Sequence, residues 1–410
     1  MRLFLLILVL IPSLLHAQNT PGTLPPPAPP GPVRLNLEQA LITGLSQSLL
    51  TQTNGLQIEQ QRALVRTGYD LPRTVADYQY GQVSGPLRDH TFNVVQQTAL
   101  PGVYAAQRRL LESQVGTAEQ RARQQRRELA YSIRSTYYEL LLGYRRTALL
   151  RRQDSLYQRA ARAARIRYQT GATNRLEQVS AEARLRELQN RQAQLLTDQQ
   201  VLGQQLAVLL NQPQPALIDT TVSAQVRLMP ADTAGLTAAT NPTLGLLEQE
   251  REVTRRQTRV EELRRLPDLR LGYFTQTINQ ETSFHVAQAG VALPLLGGAH
   301  KSRIAAARLG EQAADAQLRY AAAQLGGQLV GLRQRLRRAT ASLAYYEQTA
   351  LPQARLILDT AEKSFRAGDI EYVEYVVNTE PAWQIRTTYL DQLQRYNGLA
   401  LQLLLLTGQD

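Results

Sequence analysis

The hydrophobic and polar positions of this chain change period several times, and each change marks an element. From LNLEQALITGLSQSLL, beginning at Leu35, apolar residues recur at helical spacing to about Tyr69. Pro72 ends that pattern. Two runs rich in β-branched and aromatic residues follow, VADYQYGQV and TFNVVQQTAL, around SGPLRD, which predicts a β-hairpin over 72–101. Its alternation is imperfect: Phe92, Val94, Thr98 and Leu100 share one face, and Asn93, Val95 and Gln97 the other. Strands of about ten residues suit a tilted membrane strand, although a soluble hairpin has the same pattern. Between Pro101 and Pro213 there is no proline, and Ala, Arg, Gln, Leu and Glu, all good helix formers, dominate. Leu185, Leu188, Leu195, Leu202, Leu206 and Leu209 step mostly by three and four, with Gln192 and Gln199 among them, a coiled-coil-like seam.

A polar, proline-containing stretch over 212–242 separates this order from a second copy of it. A helix (Leu244 to Leu266) precedes a strand pair over 267–295, made of LRLGYFTQTI and SFHVAQAGVALP. A long helical tract then runs to the C-terminus, where Leu390, Leu393, Asn397, Ala400 and Leu404 repeat the three–four stepping. FNVVQQTALP in the first copy corresponds to FHVAQAGVALP in the second. The chain is therefore a tandem duplication, with repeats at 35–211 and 243–410.

Each repeat also carries a lone glycine in a helical tract. RYQTGATNRLEQV (167–179) matches SFRAGDIEYVEYV (364–376). Tyr168 and Phe365 stand three positions before the glycine, and Glu177 and Glu374 six positions after it. Gly171 and Gly368 are expected to take the left-handed conformation that closes a helix and opens a tight turn. Length supports the fold-back. A helix from Ala105 to Tyr168 spans ~95 Å, which only lateral support can hold straight. The returning helix at 174–211 covers ~57 Å and the first helix at 36–69 a further ~50 Å. Stacked end to end, these two match the long one. One very long helix beside two stacked short ones, twice per chain, makes a wall rather than a globule. If the strands cross a membrane, four cannot close a barrel and open edges are not tolerated in lipid, so several chains must share one; three would give twelve strands.

Composition narrows the setting. MRLFLLILVLIPSLLHA reads as a signal peptide over 1–17, with a proline-rich spacer over 18–34. No later segment has the ~18 apolar residues a membrane helix requires. The chain has no Cys, which excludes disulfides and a lipidated N-terminal Cys. The formal charge of +12 comes mostly from arginines spread among Gln and Glu along helices. Without a basic-plus-aromatic motif on an exported chain, this reads as solvated helix faces, with no nucleic-acid partner. His90, His285 and His300 have no paired helical spacing, so no metal site is expected. There is no phosphate loop or nucleophile elbow, so no catalytic residue or cofactor is expected; LGG at 296–298 reads as barrel-exit backbone. Trp383, the only Trp, is assigned to packing.

The paired turns YQTGATNRLEQV and FRAGDIEYVEYV, the junctions QQTALPGVYAAQ and GVALPLLGGAHKSRIAAAR, and the closing YLDQLQRYNGLALQLLLLTG together resemble the TolC-like outer-membrane efflux family. The resemblance covers essentially the whole mature chain, and is greatest to outer-membrane partners of heavy-metal resistance-nodulation-division (RND) pumps. It implies a mainly α fold with a β-barrel portion: tandem-duplicated helical hairpins forming a periplasmic tunnel, and four strands per chain in a trimeric barrel shared among copies. It also implies a homotrimer in the outer membrane, a periplasmic adaptor protein docking at the tip turns (Tyr168, Gly171, Phe365, Gly368), and an inner-membrane RND-type transporter. The protein would be a passive exit duct, not an enzyme. By the same resemblance Glu177 and Glu374 would face a narrow tip aperture, where clustered carboxylates attract cations. The basic residue that some relatives carry two positions after the second glycine is Ile370 here, and a second acid is Val377. Arg175 and Arg366 are then the candidates for pairing with the aperture acids. The rival readings are a secreted structural coiled coil without a pore and a periplasmic adaptor. The first leaves the matched strand pairs unexplained; the second lacks the Gly- and Val-rich domains that flank an adaptor hairpin.

Overall fold

The computed structural model describes residues 34–408 except 84, 227–235, 238, 280, 282 and 295–297. The signal peptide and nearly all of the proline-rich spacer lie outside the described residues, as do Leu296 and the middle of the 212–242 stretch. Among the described residues, no helix is long and apolar enough to cross a membrane.

The first helical pattern is real but broken. Helix α1 (Leu37–Gln47) starts on a capping box, Asn36 with Gln39, and ends at Ser48, whose side chain at once accepts from the Leu50 amide to start α2 (Leu49–Val65). One serine thus serves two helices, an interruption that apolar periodicity does not register. A short 3₁₀ turn (Arg66–Tyr69) leads to β2 (Val75–Gly81) and β3 (Asp89–Thr98). Helix α3 (Pro101–Gln169) then runs unbroken for 69 residues, with Pro101 in its first turn, where a missing N–H costs nothing. Helix α4 (Arg175–Leu209) folds back along it. Asn211, at φ 55°, closes α4 in the left-handed conformation that Asn tolerates.

The second repeat follows the same plan: α5 (Pro242–Leu263), β5 (Asp268–Thr277), β6 (Ser283–Ala292), α6 (Gly298–Tyr345), α7 (Leu351–Ala367) and α8 (Tyr372–Thr407). Its long helix contains a π-turn at Tyr346–Ala350, directly before Pro352. Proline has no N–H to return to the preceding turn, and the wider turn accommodates that loss. At the start of the first repeat, β1 (Arg34–Leu35) forms a short parallel pair with β4 (Leu217–Ile218) of the stretch between the repeats, a contact the sequence pattern did not predict.

The expected stacking is present. Helix α3 lies against α1 and α2 along one half and α4 along the other; α6 and α7 lie against α5 and α8. The short helices meet at joints stitched by asparagines. Asn211 Nδ2 donates to Gln47 O at 3.2 Å, and Asn241 Nδ2 to Leu406 O at 2.8 Å. The core concentrates around these joints. Ile133, Tyr137, Leu140 and Leu141 of α3 pack on Leu206 and Leu210; Leu329, Leu336 and Leu343 of α6 pack on Leu393, Tyr396 and Leu401. Leu188 and Leu206 of the predicted seam are buried, as is Asn397, which bonds Val226 N and Ala224 O.

The four long strands form one antiparallel sheet in the order β2-β3-β5-β6, so the two hairpins of the duplication join through β3 and β5. The register sorts the side chains. Tyr78, Tyr80, Phe92, Val94, Leu269, Leu271, Tyr273, Ala287, Ala289 and Val291 share one face with a few polar residues such as His90, Gln96 and His285; Asp77, Gln79, Asn93, Gln97, Arg270, Gln276 and Gln288 share the other, together with Val75, Val95, Phe274, Phe284 and Val286. Summed across strands, the alternation that was blurred in a single hairpin gives one mainly apolar face and one more polar face. Most of the large apolar residues remain exposed, among them Tyr78, Tyr80, Leu271 and Val291. The duplication also repeats a Tyr–His contact on that face: Tyr78 Oη lies 2.5 Å from His90 Nδ1, and Tyr273 Oη 2.6 Å from His285 Nδ1.

Candidate functional site: the tips of the two helical hairpins

Gly171 and Gly368 sit where each hairpin turns, at φ 71° and 82°. Ala172 N donates to Arg167 O and Gly171 N to Tyr168 O; in the second hairpin, Asp369 N donates to Ser364 O and Gly368 N to Phe365 O. Both are Schellman closures with the glycine at the left-handed position. A Cβ on either glycine would meet nothing within 4 Å, so the residue is required for its backbone angle alone.

After each turn the chain starts a new helix, and here the copies diverge. In the first, Asn174 caps α4 by accepting from the Glu177 amide at 3.0 Å. In the second, the equivalent residue is Glu371, and its side chain makes no capping bond. Its carboxylate instead reaches the Arg167 guanidinium on the other hairpin. Glu177 lies 3.9 Å from the same guanidinium and is also bonded to Thr173 Oγ1. Arg167 therefore ties the two tips together. The Glu371 carboxylate, and less strongly Glu177, holds its guanidinium above the ordinary value.

The expected site residues do not behave alike. Glu177 is about one quarter exposed and engaged, whereas Glu374, in the equivalent first turn of α8, is exposed and forms no ion pair among the described residues. Tyr168 is exposed, while Phe365 packs on Tyr372 and Tyr375 with ring centroids 5.3 and 5.1 Å away. The proposed basic partners are not the ones used within the chain. Arg366 pairs with Glu362 on its own helix, and Arg175 is exposed with no ion pair among the described residues. The guanidinium beside Glu177 is that of Arg167. Its signal lay in comparing the copies: an Arg facing Ser364 in the alignment, and an acid where the other copy has a capping Asn.

Behind the tips the two hairpins are sealed together. Tyr372 Oη donates to Leu156 O, and Tyr157 Oη donates to Glu380 at 2.5 Å. Leu156, Tyr157, Ala160, Leu188 and Val376 fill the space between. Burial raises the Tyr372 hydroxyl to about 12 and pushes the Tyr157 hydroxyl up as well. Neither phenol serves as an acid or base near neutral pH. The site holds helices in place and carries charge at its end.

No protein-family model matches the chain, and no curated protein sequence does. Solved structures do. The outer membrane protein VceC of Vibrio cholerae is 17% identical over 91% of this chain and 96% of its own, with a TM-score of 0.70. CusC, solved in work on folding and transmembrane channel formation, is 15% identical over 92% of this chain and 93% of its own, at 0.73. The open state of the MtrE outer membrane channel of Neisseria gonorrhoeae is 16% identical over 91% of this chain and 89% of its own, at 0.73. The fold of this chain is that of TolC-like outer-membrane channels, helical tunnel and strands alike.

Proposed function

We propose that this chain is one protomer of an outer-membrane exit duct, passively conducting substrates delivered by an inner-membrane RND-type transporter and a periplasmic adaptor protein. The observation that carries the reading is the sheet. It has one mainly apolar face and one more polar face, and its edge strands β2 and β6 are unpaired among the described residues. A sheet of that kind is stable in lipid only when its edges are closed by copies of itself. Three protomers give a twelve-stranded barrel, apolar face to lipid and polar face to the lumen. The hairpins, on the order of 100 Å long, continue that lumen as a tunnel through the periplasm. Such a duct performs no chemistry, and the perturbed groups near the tips are structural phenols.

At the tips, Glu177 and Glu374 are assigned to the aperture, and the turns at Tyr168, Gly171, Phe365 and Gly368 to adaptor docking. The Arg167 bridge holds the second hairpin to the first, which favours a narrow mouth. Because Glu177 is already engaged, Glu374 dominates cation attraction in this arrangement.

The duct reading is tested on detergent-extracted outer membranes. Heat-modifiable trimers with planar-bilayer conductance are expected; a soluble, non-conducting monomer would instead favour a secreted structural coiled coil. For the aperture, Glu374→Gln should lower cation selectivity, and adding Glu177→Gln should lower it further. Unchanged selectivity in the double variant refutes the assignment of both residues.

A further inference from the structure

Between α3, α7 and α8, bordered by Ser223 to Gln225, lies an open groove of about 1050 Å³. Its position is well behind the tips, beside the π-turn. Four arginines line it, and they are not equivalent. Arg145 is satisfied, donating to Thr220 O and Val222 O at 3.1 Å each. Of the two acids in the groove, Glu347 already accepts from Tyr389 Oη at 3.2 Å. Four guanidiniums thus face two carboxylates, Glu347 and Asp359, and the side chains left to account for are Arg152, Arg355, Arg386 and Asp359. Among the described residues, none of these four side chains closes an ion pair or a hydrogen bond.

An exposed arginine on a helix is ordinary. Arg386 is not in that situation. It is partly buried, lying 5.4 Å from the ring centroid of Trp383, which is 8% exposed. Burial, then the neighbouring Arg152 and to a lesser degree Arg355, push its guanidinium below the ordinary value, and Asp359 offsets only part of this. A surplus of positive charge around one partly buried guanidinium, which Asp359 offsets only in part, favours a further anion beside it. The floor of the groove is apolar, formed by Leu351, Leu390 and Leu393. A concave apolar floor with a few convergent polar groups is the usual form of a small-molecule site.

We propose that this groove binds an amphiphilic anion, with a carboxylate or phosphate head held by Arg152, Arg355 and Arg386 and an aliphatic tail lying on Leu351, Leu390 and Leu393. Planar guanidiniums suit both head groups, because each offers paired N–H donors to paired oxygens. The proposal stands apart from the duct reading, since it requires only the fold of the protomer.

The test uses the chain's single tryptophan, Trp383, as its reporter. Full-length protein in a non-ionic detergent is titrated with octyl phosphate and octanoate, following Trp383 fluorescence and heat by calorimetry. Saturable binding is expected, with inorganic phosphate and octanol at least about tenfold weaker, equivalent to ~1.4 kcal/mol for losing either half of the ligand. Arg152→Gln and Arg355→Gln should each weaken octyl phosphate about tenfold. Both side chains are exposed, so these variants should retain the fold, which circular dichroism checks. Arg191→Gln, on the far helix α4, should change nothing. No saturable signal, octanol binding as tightly as octyl phosphate, or unaltered affinity in both arginine variants overturns the proposal. Inorganic phosphate binding as tightly as octyl phosphate overturns the tail subsite, and with it the amphiphile. Conductance is not read, so a failure here leaves the duct reading standing, and the reverse also holds.

Discussion

Replacing Gly171 or Gly368 by alanine isolates a backbone effect from packing. At φ 71° and 82° an L-residue meets its own carbonyl, a cost of about 1–2 kcal/mol. No other atom lies within 4 Å of the added Cβ, so that cost is the whole effect. It falls on the hydrogen bonds that close each turn, chiefly the one from Ala172 N at 2.8 Å in the first and from Asp369 N at 2.9 Å in the second. Local opening should therefore become roughly 5–30-fold more frequent. Hydrogen exchange on the detergent-extracted protein reads this directly as faster exchange at 171–172 in Gly171→Ala and at 368–369 in Gly368→Ala. Gly171→Asn should recover much of the loss, since Asn visits the left-handed region. Gly44→Ala is the opposite control: its backbone is ordinary, but its Cβ would fall 2.4 Å from Ile133 Cδ1, an overpacking cost of about 1–3 kcal/mol. Unchanged exchange in both alanine variants would refute the reasoning. So would asparagine being as damaging as alanine, because the turn would then depend on side-chain space.

Other outcomes follow from single contacts. On the proposed duct reading, Arg167→Gln and Glu371→Gln should each raise the open probability in planar bilayers, and the double variant should add little, because both remove one bridge. The difference should shrink in 1 M salt, and Arg366→Gln, whose partner is on its own helix, should have no effect. Tyr137 is 1% exposed and donates to Leu35 O and Asp219 O at 3.3 Å, so Tyr137→Phe should cost about 1–3 kcal/mol and release the β1–β4 pair to exchange. Burial raises its hydroxyl to about 12 against an ordinary 10.0. Its contribution is therefore complete below pH 10 and lost as pH rises through 12, and the stability gap between wild type and Tyr137→Phe should close across that window. Asn397→Leu removes the bonds to Val226 N at 3.0 Å and Ala224 O at 2.7 Å; faster exchange at Val226 is expected, with the helical seam itself intact.

The features legible from sequence were those whose cause is local. Gly171 and Gly368 are visible because no other residue takes that angle so cheaply, and the strands because β-branched and aromatic residues cluster between prolines. The missed features depend on partners distant in sequence or on small local choices. Whether β3 would pair with β5 is decided by side chains nearly two hundred positions apart, as in Asn93 beside Phe274. Ser48 looks like any helix-surface serine until its hydroxyl is seen to accept from Leu50. The π-turn before Pro352 could have been suspected, since a proline inside a long helix must be accommodated somewhere. At the tip, the aligned glutamates were read as a matched pair. Their environments are set by Arg167, Thr173 and Glu371, and all three differ in kind between the copies, where the counterparts are Ser364, Ile370 and Asn174.

The asparagine-stitched joints have a mechanical consequence. In brickwork laid in running bond, no vertical seam crosses two courses, so the wall cannot crack along a straight line. Here the breaks between α1 and α4 and between α5 and α8 fall beside unbroken stretches of α3 and α6. A bending load at that height is carried by continuous helix rather than by the joints. Compliance is displaced to the π-turn and Pro352 on α7 and to Pro381 inside α8, both in the second hairpin. The first hairpin has no proline between Pro101 and Pro213, so its two long helices run without such a weak point.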